Sequence, residues 1–229
     1  MFYKTLSGKN VWLIKSFFII GIVLLSACKT GVIVKETYQI PAEMGKIIIL
    51  PFQDMSEVYG ENVNVRCPLA DNFFMTGKVA KGAVDILTDH MFILLKDRKS
   101  FELLPTSQAE GVLSSLLSRN KKRLSELELF LETGRALDVD AVIVGYIYRF
   151  RERVGTGYSV DSPASVGFDI HFISVVDGRI MWSGIFDETQ RALSEDLFQL
   201  GTFLRRKARW ITAEKMASSG LEDMLKKLP

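Results

Sequence analysis

Two histidines, His90 and His171, and two cysteines, Cys28 and Cys67, stand out among the side chains of this 229-residue chain that could do chemistry. His171 lies two residues from Asp169, and with a serine hydroxyl the pair would supply the base and the orienting carboxylate of a hydrolase. No nucleophile elbow or other ordering motif accompanies them, so no catalytic residue is assigned. His90 falls beside the apolar stripe of a helix and His171 on the polar side of a strand, and both read as structural. Zinc takes three or four clustered ligands, whereas Cys67, His90 and His171 are scattered along the sequence, so neither a metal nor any other cofactor is expected. Cys67, in "NVRCPLADNFF", reads as a buried thiol behaving as a small hydrophobe. Asp54 follows the first central strand, where an open α/β sheet places ligand residues, yet turn or cap chemistry accounts for it as well. The glycines Gly155 and Gly157 precede a strand rather than the helix that would hold a phosphate, and mark a hairpin tip. Arg205, Arg206, Lys207 and Arg209 beside Trp210 make either a solvated helix face or a contact for anionic headgroups or a partner.

Cys28 is a different case. The run Phe17 to Ala27 is free of charge but shorter than the ~20 residues needed to span a bilayer, and Lys4, Lys9 and Lys15 precede it without an acidic residue. Positive, apolar and small-residue parts in that order are a secretory signal. Leu25-Ser26-Ala27-Cys28 resembles the lipobox of bacterial lipoproteins, which implies cleavage before Cys28, lipid on its sulfur and permanent tethering by two or three acyl chains. Residues 1–27 are therefore expected to be removed, 28–45 to form a lipidated cysteine and short tether, and 46–229 to fold. Lys29 is not the aspartate that retains lipoproteins at an inner membrane, so the outer membrane, facing the periplasm, is the expected address. The whole chain carries 29 basic and 27 acidic residues; with three lysines lost in the signal, 26 face 27. That balance gives no basic field for nucleic acid. With Cys28 lipidated, Cys67 has no partner for an internal disulfide, and the fold must rest on its core.

The elements that would position these groups alternate. "KIIILPF", Lys46 to Phe52, is an aliphatic run closed by a proline and reads as a central strand. Ser56 to Gly77 reads as irregular. Ala80, Val84, Leu87, Met91 and Leu95 put one stripe on a helix over Lys78 to Lys96. "FELLP" is a short strand, and Ser107 with Glu110 and Ser125 with Glu128 match capping boxes of two further helices. "DAVIVGYIYRF" begins as a buried strand and then alternates, with Tyr146, Tyr148 and Phe150 on one face. "VGFDIHFISVV" alternates throughout, and Asp177-Gly178 turns it into "RIMWSGIF". The carboxy-terminal part is helical, capped at Ser194 and Thr212. The order predicts an α/β (α+β) single domain, a mixed sheet of about five strands with packed helices.

"IIILPF", the long helix, "FELLP", "ALDVDAVIVGYI" and "DIHFISVVDGRIMWSG" resemble the envelope lipoproteins of the CsgG, LpoB and PelC group, whose domain is similar to the amino-terminal domain of TolB. The resemblance spans roughly Lys46 to Phe186. It implies no enzyme, but a protein that assembles export or secretion machinery or activates a cell-wall synthase. A membrane pore would need two long amphipathic hairpins per subunit; the chain offers one, with Arg149, Arg151, Glu152 and Arg153 at its tip. A synthase activator must reach through the cell wall, and the 17 residues from Lys29 to Gly45 extend only ~60 Å. The expectation is thus a lipid-anchored scaffold or assembly component with an envelope protein partner; a periplasmic small-molecule binding protein or hydrolase, or a synthase activator, is the alternative. Self-association is also expected, because the strand from Arg179 to Phe186 reads as an open sheet edge and tethering concentrates copies in a plane.

Overall fold

The computed structural model describes residues 31–36, 40, 44–119, 124–155, 160–190 and 211–228, which form one compact unit. In chain order the elements are β1 (Val32–Glu36), β2 (Lys46–Ile49), β3 (Gln53–Asp54), α1 (Met55–Tyr59), β4 (Asn64–Arg66), β5 (Phe73–Met75), α2 (Ala83–Leu95), β6 (Glu102–Leu104), α3 (Thr106–Arg119), α4 (Glu126–Ala136), β7 (Ala141–Arg151), β8 (Val154–Gly155), β9 (Val160–Ser162), β10 (Ser165–Ser174), β11 (Ile180–Thr189) and α5 (Ala213–Leu225). The lipobox with Cys28, the basic segment Arg205 to Trp210 and Ser194 lie outside the described residues.

The main sheet is mixed, ordered β1-β11-β10-β7-β2-β6, with β3 also paired to β7. The aliphatic run Ala141 to Val144 is sealed on both faces because both are covered. On one face Leu87, Met91 and Leu95 of α2 and Met216, Leu221 and Met224 of α5 pack on Ile47, Ile143, Phe168 and Phe172. On the other, Phe130 of α4, Ala109 of α3 and Val65 and Phe74 of the β4–β5 hairpin pack on Ile48, Val142 and Tyr146. Two close approaches fix these layers: a Cβ on Gly145 would fall 2.2 Å from the Phe52 ring, and one on Gly184 2.2 Å from Met224 Sδ.

The helix starts follow local chemistry. Ser125 and Glu128 close both bonds of a capping box on α4, and Thr212 caps α5 through Lys215 N. Ser107 does not cap α3, which already begins at Thr106 behind Pro105. The helix predicted from Lys78 starts at Ala83, because Lys78 to Ala80 are drawn to the sheet, Ala80 N donating to Phe150 O. Arg98 donates to the Leu228 carbonyl at 3.0 Å and also to that of Leu225, satisfying carbonyls at the end of α5.

Four further expectations change. The segment 28–45 is not wholly tether, since Val32–Glu36 pairs antiparallel with β11 from Val32↔Phe186 to Glu36↔Trp182. Among the described residues the sheet therefore has seven strands, β1 and β3 being the additions. The Arg179 to Phe186 edge, one of the grounds for expecting self-association, is consequently covered. Finally, Phe150 does not share a face with Tyr146 and Tyr148. A register shift opposite Gly167/Phe168 skips Tyr148, which leaves both tyrosines in one layer and Phe150 in the other.

Candidate functional site

Ser56 to Gly77, read from sequence as irregular, builds the lid of the site. Asp54 caps α1, its Oδ1 accepting from Ser56 N at 2.7 Å and Glu57 N at 3.3 Å. The chain then forms the β4–β5 hairpin with Val65 opposite Phe74, closed at its turn by Cys67 N donating to Asn72 O at 2.8 Å. Phe74 stacks on Tyr148 of β7, centroids 3.9 Å apart and rings within 5° of parallel. Arg149 fastens the hairpin further, donating to Met75 O at 2.9 Å, to Ser165 Oγ and to Asp187 Oδ1. Arg149 is thus a clamp rather than a hairpin-tip charge. Nearby Glu152 accepts from Ala213 N at the start of α5.

Under this lid the structure joins groups that are distant in sequence. Cys67 Sγ lies 3.2 Å from His171 Nε2, which is 3.3 Å from Asp169 Oδ2. Tyr148 donates its hydroxyl to the same Oδ2 at 3.2 Å. On the far side of the ring, His171 Nδ1 meets Ser183 Oγ at 2.9 Å, the two residues being directly opposite across β10 and β11. Asp169 and His171 are completely buried and Cys67 is 2% exposed. Asp169 Oδ1 is buried without a hydrogen-bond partner among the described residues. The expectation that Cys67 and His171 are scattered is therefore overturned; His171 keeps the polar side of its strand, and the hairpin buries that side. Alternation had separated Asp169 and His171 from the Phe168 face correctly; it carried no information about the hairpin covering them.

Burial sets the chemistry. It pushes the Cys67 thiol up to about 12, with the Asp169 charge adding to the effect. Tyr148 and Tyr146 are likewise raised, first by burial and then by Asp169 and Glu126 respectively. All three therefore carry their protons at neutral pH. Ser183, His171 and Asp169 do fall in line as serine, base and carboxylate, the constellation considered from sequence. Ser183 is only 8% exposed and sits within the sheet between β1 and β10. A nucleophile needs a substrate-accessible face and an activated oxygen or sulfur, and neither Ser183 nor Cys67 has both. His90 is apart from this group, its Nδ1 2.8 Å from Ser218 Oγ, joining α2 to α5.

The surface above the lid has another character. Phe73, 70% exposed, and Met75, 45% exposed, stand side by side on the outer face of β5. Val58 and Tyr59, also exposed, end the helix that leads into the hairpin. Among the described residues no helix is long and apolar enough to cross a membrane.

No family model matches the sequence, and no curated protein matches it. Solved structures similar to this chain include a PelC dodecamer from Paraburkholderia phytofirmans at 12% identity, covering 85% of this chain and 95% of that one with a TM-score of 0.46. A lipoprotein from Neisseria meningitidis is similar at 9% identity over 72% of this chain and 97% of its own, TM-score 0.40. The LpoB C-terminal domain from Escherichia coli is similar at 14% identity over 66% of this chain and 88% of its own, TM-score 0.39. PelC and LpoB are names of the group that the strand and hairpin sequences resemble.

Proposed function

We propose that the chain is a lipid-anchored cell-envelope protein, held on the periplasmic side of the outer membrane through Cys28, that works by protein contacts as a scaffold or assembly component of an export or secretion system. The observation that carries this reading is the position of β1. The sheet begins at Val32, four residues after the lipobox cysteine, so covalent geometry holds the edge of the folded domain within ~14 Å of the lipid-bearing residue. This span is much shorter than the ~60 Å allowed when the whole of 28–45 is read as tether. A reach through the cell wall to a synthase is correspondingly disfavoured. The sealed state of the Cys-His-Asp group favours contact over catalysis, and the apolar outer face of β5 offers a contact surface. The partner is another envelope protein or further copies of the chain, gathered in the membrane plane.

The anchor is tested by Cys28→Ser in cells. The substituted protein is expected to lose metabolic labelling by palmitate and to leave the outer-membrane fraction. A protein that still matures and fractionates as before would overturn the reading. Sedimentation of the unsubstituted protein with the inner membrane would overturn its address alone.

A further inference from the structure

Asp169 is a fully buried carboxyl whose contacts do not complete its hydrogen bonding. Oδ2 meets Tyr148 and His171, while Oδ1 has no hydrogen-bond partner among the described residues. The ion pairs of those residues give it no lysine or arginine, His171 being its one basic neighbour. His171 is pulled two ways: Nδ1 meets the Ser183 hydroxyl, and Nε2 faces both Cys67 Sγ at 3.2 Å and Asp169 Oδ2 at 3.3 Å. A cation at their common centre would satisfy sulfur, nitrogen and carboxylate together.

We propose that Cys67, Asp169 and His171 form a structural site for one divalent transition-metal ion, zinc by its donor set. One ligand atom from each residue lies within 4.8 Å of the other two. Donors ~2.0–2.3 Å from a tetrahedral ion stand about 3.3–3.6 Å from one another, close to the two spacings observed. On binding, the ion would displace the Cys67 thiol proton to solvent, and the resulting thiolate with imidazole and carboxylate suits zinc over magnesium or calcium, which take oxygen ligands. With one donor atom from each of three residues, the fourth tetrahedral position would fall to a water molecule. Supporting contacts of the kind that orient metal ligands are present, with Ser183 on the outer nitrogen of His171 and Tyr148 on the carboxylate. The ion would pin the β4–β5 lid, which supplies Cys67, to β10, which supplies the other two. That role is independent of the anchor and of any partner.

The full chain, purified in detergent and stripped by a chelator, is titrated with Co²⁺ and then with Zn²⁺. The expected result is one Co²⁺ per chain, a sulfur-to-cobalt charge-transfer band with tetrahedral d–d absorption, and displacement by Zn²⁺. The melting temperature should rise by about 5–10 °C at Zn²⁺ 100-fold above its dissociation constant. Cys67→Ser should abolish the charge-transfer band while His171→Gln weakens binding at least tenfold. Should either variant fail to fold, the unsubstituted chain decides. No bound cobalt at stoichiometric concentration, with melting unchanged by Zn²⁺, would overturn the site, and so would a charge-transfer band that survives in folded Cys67→Ser.

Discussion

Cys67 shows how far a residue's chemistry is set by what covers it. Its sequence reading as a buried thiol matches its 2% exposure, but nothing in "NVRCPLADNFF" announces a histidine 104 positions later at 3.2 Å. That contact exists only because β4 and β5 fold over β10. Metal-free folded protein should therefore label at Cys67 with a maleimide at least about 10³-fold more slowly than denatured protein, since the thiol is both enclosed and protonated. Phe74→Ala, which removes the ring stacked on Tyr148 at a cost of about 3 kcal/mol, should raise the native labelling rate at least tenfold by opening the hairpin locally. Equal labelling of the two would mean that the lid is not what protects the thiol. Glu126 gives a second test at this scale. Burial raises its carboxyl above the usual range, while Tyr146 and Gln53 act in the opposite direction. Because the folded state holds this proton more tightly than the unfolded state, the group's contribution to stability is lost as pH rises from the ordinary carboxylate range through the raised value. Glu126→Gln should flatten that part of the stability–pH curve, measured by denaturant unfolding; an unchanged slope would contradict the shift.

At the scale of elements, legibility followed burial pattern. The aliphatic strands β2 and β7, the alternating β10 and the capped helices α4 and α5 were readable because periodicity and cap residues act locally. Strand β1 was not, since the five residues "VIVKE" are too few to establish a period and owe their state to pairing with β11. The β4–β5 hairpin was missed for a similar reason, each strand being three residues long. The tyrosine faces were misassigned because a β-bulge cannot be read from alternation. The recovered strand makes a quantitative claim. A soluble form beginning at Gly31 should unfold cooperatively, whereas one beginning at Gly45 loses the β1 ladder and the buried Val32 side chain. The shorter form should be less stable by at least about 3 kcal/mol and prone to aggregate through the uncovered β11 edge. Equal stability in urea would show β1 to be an accessory of the fold.

For the whole molecule, the chain enters the sheet at Val32, four residues after the proposed anchor Cys28. The described structure also redistributes the surfaces through which the protein could act: β11 is covered, while β5 turns Phe73 and Met75 outward. The identity of the surface was illegible beforehand because exposed apolar residues are recognisable only once the buried ones are known. The most direct measurement is site-specific photo-crosslinking in intact cells, with a photoreactive amino acid at Phe73 and, as a control, at exposed Asp85 on α2. The account predicts discrete protein adducts from position 73, few or none from position 85, and loss of the adducts when Cys28→Ser removes the anchor. An absence of adducts at position 73 in correctly anchored protein, or identical adducts from both positions regardless of the anchor, would contradict it.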